Sequence, residues 1–223
     1  KTVSPYAFLR NSKIKTFKAG DNLTSIGEGA FYECTSLNDV TVSSYLSFVG
    51  ADAFFGTKWL SAQTDFTIVG DGVLVAYQGA DTIINIPVGV KSIAANAFYN
   101  NKKITSVNFS NSVFSIGARA FMSCSNLKEV KFNNGLVMID DEAFANCNKL
   151  SSVETPLTLS KIGKGAFINC SEITSAFIRG NNLFVDYGAL AFCTGLKSVL
   201  LSKDVASVSS DVFAEDENLS VIS

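Results

Sequence analysis

The most reactive side chains in this sequence are its five cysteines, which all recur at one position of a repeat. Each lies three residues after the second residue of an Ala-Phe or Ala-Leu pair; they are Cys34, Cys124, Cys147, Cys170 and Cys193. Other repeats carry Asn11, Thr57, Ala80, Asn101 and Asp216 at this position. We expect an inward-facing column of small side chains that pack against the chain turn and hydrogen-bond to it.

Disulfide bonds between adjacent repeats are an alternative interpretation of the cysteine column. Neighbouring strands lie about 4.8 Å apart, which falls within the Cα separation that a disulfide allows. Parallel side-chain directions oppose such bonds, and the number of free thiols in denaturant distinguishes the two interpretations. The sequence does not favour a thiolate metal site, because it contains no Cys-x-x-Cys motif.

Other candidate chemistry is sparse. The chain has no histidine, which excludes Ser-His-Asp and Cys-His nucleophiles, histidine-ligated zinc and the usual neutral-pH base. We expect the carboxylate runs Asp140-Asp141-Glu142 and Glu215-Asp216-Glu217 in solvated turns, because they lack a calcium-loop pattern and consecutive side chains diverge. Glycines recur at repeat positions without a phosphate-loop motif; they are Gly27, Gly50, Gly117 and Gly163. We predict no enzyme, cofactor or metal; catalysis would need a carboxylate pair with strongly shifted pKa values.

A 23-residue repeat must position all of these side chains. The stretch I-G-A-R-A-F-M-S-C-S-N-L-K-E-V begins at Ile116, and related stretches begin at Ile139 and Ile162. We call the second residue of the Ala-Phe pair, or its equivalent, the anchor; the anchors are Phe8, Phe31, Phe54, Tyr77, Phe98, Phe121, Phe144, Phe167, Leu190 and Phe213. Successive anchors are 23 residues apart, except for 21 residues between Tyr77 and Phe98. Such a period indicates one small unit stacked on itself.

The apolar pattern within one repeat predicts its local structure. An isoleucine or leucine follows every anchor by six residues, and the segment from there onward ends in an apolar-polar-apolar alternation typical of a short, half-buried strand. The segment around the anchor is too short for an independent helix, so we expect one turn of helix or 3₁₀-helix. A single repeat cannot bury enough apolar surface to fold alone, and neighbouring coils must therefore stack.

Two segments depart from this pattern. Between residues 61 and 90, polar Gln63 and Asp65 and small Gly72 occupy positions that should be apolar, and two alternating runs flank a Gly-Asp-Gly turn. We expect a β-hairpin there. Asn182 and Leu190 predict a second irregular segment at 180–190. We predict one domain over residues 1–223.

Composition limits the function. The formal charge is −2 and the pI is about 5.2, so no general cationic field is available for nucleic acid or anionic lipid. Hydrophobic residues make up 47% of the chain and charged residues 17%, which indicates a folded body with extensive burial. The longest apolar run is a few residues at Val73 to Tyr77, so we expect no membrane insertion.

The motif I-G-x-x-A-F-x-x-C-x-x-L-x-x-V resembles the BspA-like, or Treponema-type, leucine-rich repeat, and the resemblance covers nearly the whole chain. The agreement is seen at Ala120, Phe121, Cys124, Leu127 and Val130. The resemblance implies a right-handed α/β-type solenoid, with short parallel strands on its concave side and short helical or 3₁₀ turns on its convex side. It also implies a secreted or surface protein of bacteria that acts in adhesion or recognition.

The outward positions of the predicted sheet provide a candidate binding surface. Most are small and polar, but Phe177 and Leu200 should lie side by side, with Arg179 at the next outward position. Lys131 and Glu154 are expected to form a cross-strand ion pair. We predict non-catalytic recognition of a protein or glycan through Phe177, Leu200 and Arg179. The alternatives are that these residues are buried against the segment near Asn182 or a neighbouring domain, or that the chain is a structural spacer. The sequence leaves the oligomeric state open.

Overall fold

The computed structural model describes residues 1–223 as short strands joined by turns, with one helix. The strands are β1 (Thr2–Val3), β2 (Thr16–Lys18), β3 (Ser25–Ile26), β4 (Asp39–Thr41), β5 (Phe48–Val49), β6 (Phe66–Val69), β7 (Val73–Tyr77), β8 (Ile83–Asn85), β9 (Ser92–Ile93), β10 (Ser106–Asn108), β11 (Ser115–Ile116), β12 (Glu129–Lys131), β13 (Met138–Ile139), β14 (Ser152–Glu154), β15 (Lys161–Ile162), β16 (Ser175–Ile178), β17 (Leu183–Val185), β18 (Ser198–Leu201), β19 (Val205–Val208) and β20 (Val221–Ile222). The helix is α1 (Lys58–Ser61). No helix has the length and apolar character needed to cross a membrane.

The chain divides into two compact units. Unit 1 comprises Lys1–Ala80 with Val90–Ala97, and unit 2 comprises Asp81–Gly89 with Phe98–Ser223. In unit 1, β1, β3 and β5 form one parallel ladder and β2 pairs with β4. In unit 2, parallel ladders run through β8, β10 and β12, through β14, β16, β18 and β20, and through β11, β13, β15, β17 and β19. Apart from the pairs that involve β7 and β19, partner residues lie 23 apart, as the period predicts.

The turn around each anchor is held by hydrogen bonds in two alternating directions. The amide of Phe121 donates to the carbonyl of Ala143 in the next coil at 2.7 Å, whereas the preceding amide, of Ala120, donates back to Gly117 at 3.2 Å. An α-helix would direct every amide back along its own segment. The alternation therefore replaces the predicted one-turn helices with β-turns at the anchors.

This turn geometry requires two left-handed residues in each coil. The residues two before and two after the anchor have positive φ in every regular coil, including Arg119 at 57° and Ser123 at 62°. The third position of a type II turn needs this conformation, which is costly for residues other than glycine. Hydrogen bonds donated to the next coil hold most of these non-glycine residues there, as at Arg119 and Ser123.

The anchors form an aromatic column inside each unit. In unit 2 the ring centroids of Phe98, Phe121, Phe144 and Phe167 are 4.5, 5.1 and 5.3 Å apart in succession, with interplanar angles of 11° or less. Phe8, Phe31 and Phe54 stack in the same way in unit 1. All four rings of the unit 2 column are buried. The predicted alignment of the phenylalanines from Phe98 to Phe167 is confirmed.

The hairpin expected within residues 61–90 is present, since β6 and β7 pair antiparallel around Gly70 and Gly72. The apolar residue six positions after anchor Tyr77 is Ile83, and it lies in β8 but faces outward: Ile83 is 57% exposed, while Ile84 is 1% exposed and pairs with Val107. The spacing between Tyr77 and Phe98 is two residues shorter than the others, and the shortening lies before β8. Ile83 therefore aligns with Ser106 of the next coil and not with the inward position.

The irregularity predicted for 180–190 is confined to its first half. Asn182 has a φ of 51°, and the ladder between β17 and β19 shifts register at Leu183 and Phe184. The following turn is regular, because the amide of Phe167 donates to the carbonyl of Ala189 at 2.7 Å. Leucine replaces phenylalanine at anchor Leu190 and remains buried.

We expect Phe144→Ala to lower the free energy of unfolding by about 3–5 kcal/mol, because it opens a cavity between two stacked rings. Phe144→Leu should cost less than about 1.5 kcal/mol, since Leu190 fills the equivalent position. Urea denaturation followed by circular dichroism measures both. Equal losses for the two variants would contradict a packed column.

Candidate functional site

The outward face of β14, β16 and β18 carries the predicted binding residues. Phe177 lies directly opposite Leu200 on the neighbouring strand and opposite Glu154 on the other side. Leu200 is 45% exposed, whereas Ala176 and Val199, the inward residues beside them, are buried. The predicted outward register is therefore present, and Phe177 and Leu200 are adjacent.

Arg179 is fixed over this face by several contacts. Its Nη2 donates to Glu154 Oε1 at 2.6 Å and its Nε donates to the Thr155 carbonyl at 2.8 Å. The Arg179 Cζ lies 4.8 Å from the centroid of the Phe177 ring, within cation–π range. The backbone amide of Arg179 also donates to the Thr155 hydroxyl, which donates to the Arg179 carbonyl. The guanidinium is held in one orientation before any ligand arrives.

The predicted ion pair between Lys131 and Glu154 was wrong. Glu154 pairs with Arg179, and Lys131 Nζ lies 3.3 Å from Glu129 Oε1 on its own strand. The reason is that β12 and β14 belong to different ladders, so their side chains do not meet in a paired register. Asn133, one of the small polar residues that the strand pattern places outward, is instead buried: it is 5% exposed and donates to the Val113 carbonyl at 2.9 Å.

Two shallow depressions adjoin on this face. The first lies over the Phe177 and Leu200 pair and is floored by the serines Ser152, Ser175 and Ser198. The second is polar and includes Lys131, Glu154 and Arg179. We call the first depression together with Arg179 the Phe177 surface. It combines an apolar centre with a hydroxyl-lined floor and one neutralised charge pair.

The cysteines form the expected inward column. Each Sγ donates to an anchor carbonyl 26 residues earlier, for example Cys147 to Phe121 at 3.2 Å and Cys34 to Phe8 at 2.9 Å. All five are buried and free. Burial raises the pKa of Cys124 and of Cys193 to about 12, so the reactive thiolate is scarce at neutral pH. The structure therefore has the hydrogen-bonded column and not the disulfide alternative.

Asp216 takes the cysteine position in the last coil, as the repeat alignment indicates. The solvated turn expected for this residue was wrong, since Asp216 is 8% exposed. Its Oδ1 accepts from the Cys193 amide at 2.7 Å, and its Oδ2 has no partner. Burial raises the pKa of this carboxyl to about 6, although the Cys193 amide opposes the shift. The signal in the sequence was the shared repeat position, three residues after anchor Phe213.

The other acidic run behaves as a surface turn. Asp140 pairs with Lys161 at 3.0 Å, and Asp141 Oδ1 accepts from the Lys164 amide at 3.0 Å. Glu142 accepts from Arg119 Nε at 2.6 Å. Each carboxylate is used to join neighbouring coils, and the three do not converge on a common point.

Parallel strands that recur every 23 residues make this chain a β-solenoid of about 10 turns with almost no helix. The BspA type leucine rich repeat region matches residues 1–99 and 91–220, in six copies. The chain therefore belongs to the BspA-type leucine-rich repeat family. No curated protein sequence matches it significantly.

Solved structures with the same fold come from several bacteria. The Treponema pallidum leucine-rich repeat protein TpLRR is 26% identical, with a TM-score of 0.66 over 71% of this chain and 78% of its own. The pneumococcal vaccine antigen PcpA is 19% identical, with a TM-score of 0.66, and the chain covers 66% of its length. A leucine-rich cell surface protein from Faecalibacterium prausnitzii is 21% identical, with a TM-score of 0.55 over 100% of this chain and 69% of its own. The last two matches show the fold alone.

We expect the folded chain to resist thiol reagents, because every Sγ is buried and hydrogen-bonded. Titration in denaturant without reductant should then release five free thiols. Ellman's reagent measures both states of the same preparation. Fewer than five thiols in denaturant would restore the disulfide interpretation.

Asp216→Asn should stabilise the chain at pH 7 by about 1–2 kcal/mol. The folded-state pKa is about 6, above the ordinary value of 3.8, so the folded state holds the proton more tightly. Asp216 therefore favours folding below about pH 4, and this contribution is lost as the pH rises through about 6. Asparagine occupies the same position at Asn11 and Asn101.

Urea denaturation between pH 4 and pH 7 tests this expectation against Glu217→Gln, a change at the exposed neighbour. The Asp216 variant should lose part of the decline in stability with rising pH, and the Glu217 variant should keep it. An unchanged pH profile for Asp216→Asn would contradict the assignment.

Proposed function

We propose that this chain is a non-catalytic recognition module that acts at or outside a bacterial cell surface and binds a protein or glycan through the Phe177 surface. The observation that carries the proposal is the pairing of half-buried Phe177 with exposed Leu200 beside a fixed Arg179. Buried aromatic and arginine anchors dominate the energy of protein interfaces. Most other outward positions are small or polar.

The rigidity of Arg179 favours binding. A free arginine loses rotamer entropy when a ligand fixes it, but here Thr155 and Glu154 already hold the side chain. Preorganisation of this kind reduces the entropic cost of association. Because Glu154 neutralises the guanidinium, the surface suits a partner with an apolar centre and polar surroundings more than a strongly acidic one.

Of the two ligand classes, protein is better supported than glycan. Sugars stack on an open aromatic face, whereas Arg179 already lies over the Phe177 ring. An apolar side chain of a partner protein can instead contact the ring edge and Leu200 while its backbone meets the serine hydroxyls. The names of the pneumococcal vaccine antigen and the F. prausnitzii cell surface protein support an extracellular setting.

The second candidate function is a structural spacer. The regular stacking of coils supports it, because a solenoid holds attached segments apart without binding anything itself. The two functions differ in one measurable property: a recognition module loses its ligand when the Phe177 surface is altered, whereas a spacer has no ligand on either face.

Phe177→Ala with Leu200→Ala should weaken partner binding at least tenfold, since truncating a central apolar pair costs about 2 kcal/mol or more. The purified chain is immobilised and tested against glycan arrays and against extracted host and bacterial surface proteins, and any ligand found is then measured by calorimetry.

The matched control is Phe114→Ala with Val137→Ala, which removes another exposed aromatic and aliphatic pair from neighbouring coils. Binding that survives the first double variant would refute the Phe177 surface. Absence of any ligand across these panels would favour the spacer.

A further inference from the structure

One coil in unit 1 lacks the hydrogen bonds that join the turns of the regular coils to the next coil. In seven coils, two or three of the amides two before, at and two after the anchor donate to carbonyls of the next coil. The equivalent amides in the coil anchored by Phe54 belong to Asp52, Phe54 and Gly56, and none of them has an acceptor in the chain. We call these three amides, which have no acceptor in the chain, the open amides.

The hairpin explains the missing acceptors. The segment that should form the next turn is instead β7, an extended strand that pairs with β6 on one side and with β9 on the other. The carbonyl of Leu74 accepts from Ala94 at 2.8 Å, so it serves the sheet. At this level the chain therefore has a strand in place of a turn.

A cleft of about 120 Å³ lies where the turn is missing. Its walls are mostly apolar and include Val49, Phe54, Leu60, Val75, Ala76 and Asn96. A second, more open depression beside it is lined by Gly56, Lys58 and Gln78 and shares Phe55 and Leu60 with the first. The open amides therefore belong to residues that line a continuous depression within unit 1.

Two polar groups define what the cleft can accept. Asp52 Oδ2 accepts from Asn96 Nδ2 at 2.9 Å, and Asn96 Oδ1 is buried without a partner. The Asp52 carboxylate disfavours an anionic ligand next to its own amide. The donors therefore suit neutral oxygens, and the free Asn96 oxygen suits one donor from the same ligand.

We propose that this cleft binds a short peptide segment of small residues, whose backbone carbonyls accept from Asp52, Phe54 and Gly56. The coil-to-coil interface shows the complement: in regular coils the acceptors are carbonyls of alternate residues of one backbone. The peptide completes that interface, as strand addition completes a sheet edge. Its side chains must be small, because Tyr77 already fills the core at this level.

The test is an NMR titration of the ¹⁵N-labelled chain with acetyl-Ala-Ala-Ala-amide, which presents neutral carbonyls and small side chains. We expect saturable downfield shifts of the Asp52, Phe54 and Gly56 amide protons in the millimolar range. The amides of Phe121 and Ser123, which already donate to the next coil, should not shift. Sodium phosphate should give no saturable shift; if it shifts the three amides and the peptide does not, the site is an anion site and the proposal fails.

Ala76→Ile fills the cleft from β7 and should weaken peptide binding at least tenfold. Ala206→Ile places the same side chain on exposed β19 and should leave binding unchanged. The NMR spectrum itself reports whether each variant is folded; if Ala76→Ile is not, Leu60→Phe blocks the cleft from α1. Binding unchanged in a folded blocking variant, or no saturable shift in the parent chain, would overturn the proposal.

Discussion

The backbone hydrogen bonds that cross from each turn to the next are the constraint on which this structure depends. An amide such as that of Phe121 can reach the carbonyl of Ala143 only if both coils have the same shape and length. The requirement explains the 23-residue period and the two positive-φ residues in each coil. It also places successive anchors above one another, where the phenylalanine rings stack. Strand registers and the cysteine column follow from the same alignment.

The sequence predicted the strands and the aromatic column because both depend on which positions are apolar. Position alone identified Phe98 to Phe167 as one column and their coils as one stack. The turn conformation could not be predicted in this way. Arg119 and Glu142 have positive φ although neither is a typical left-handed residue. The neighbouring coil imposes that conformation, and no local propensity of the segment encodes it.

The candidate site likewise has features that the sequence predicted and features that it did not. Register alone made Phe177 and Leu200 neighbours, since one strand repeats the other 23 residues later. The partner of Glu154 depended instead on the reach of a long side chain and on a break between ladders. Arg179 reaches Glu154, which is 25 residues earlier, while Lys131 turns to Glu129. The pattern of apolar residues in the sequence shows neither the break between the two ladders nor which carboxylate a long side chain will reach.

Regular coils satisfy one another's polar groups and cover one another's apolar faces, so they leave little with which to recognise anything else. Binding capacity in such a stack arises where one copy departs from the rule. On the sheet face the departure is Phe177 beside Leu200, because the equivalent positions of the preceding coils are polar or charged, as at Asn108, Lys131 and Glu154. Among the turns the departure is β7. Because β7 is a strand where a turn should be, three amides of the preceding coil have no acceptors. The first departure exposes apolar surface and the second exposes hydrogen-bond donors, so the two places suit different parts of a ligand: side chains at Phe177 and backbone at Phe54.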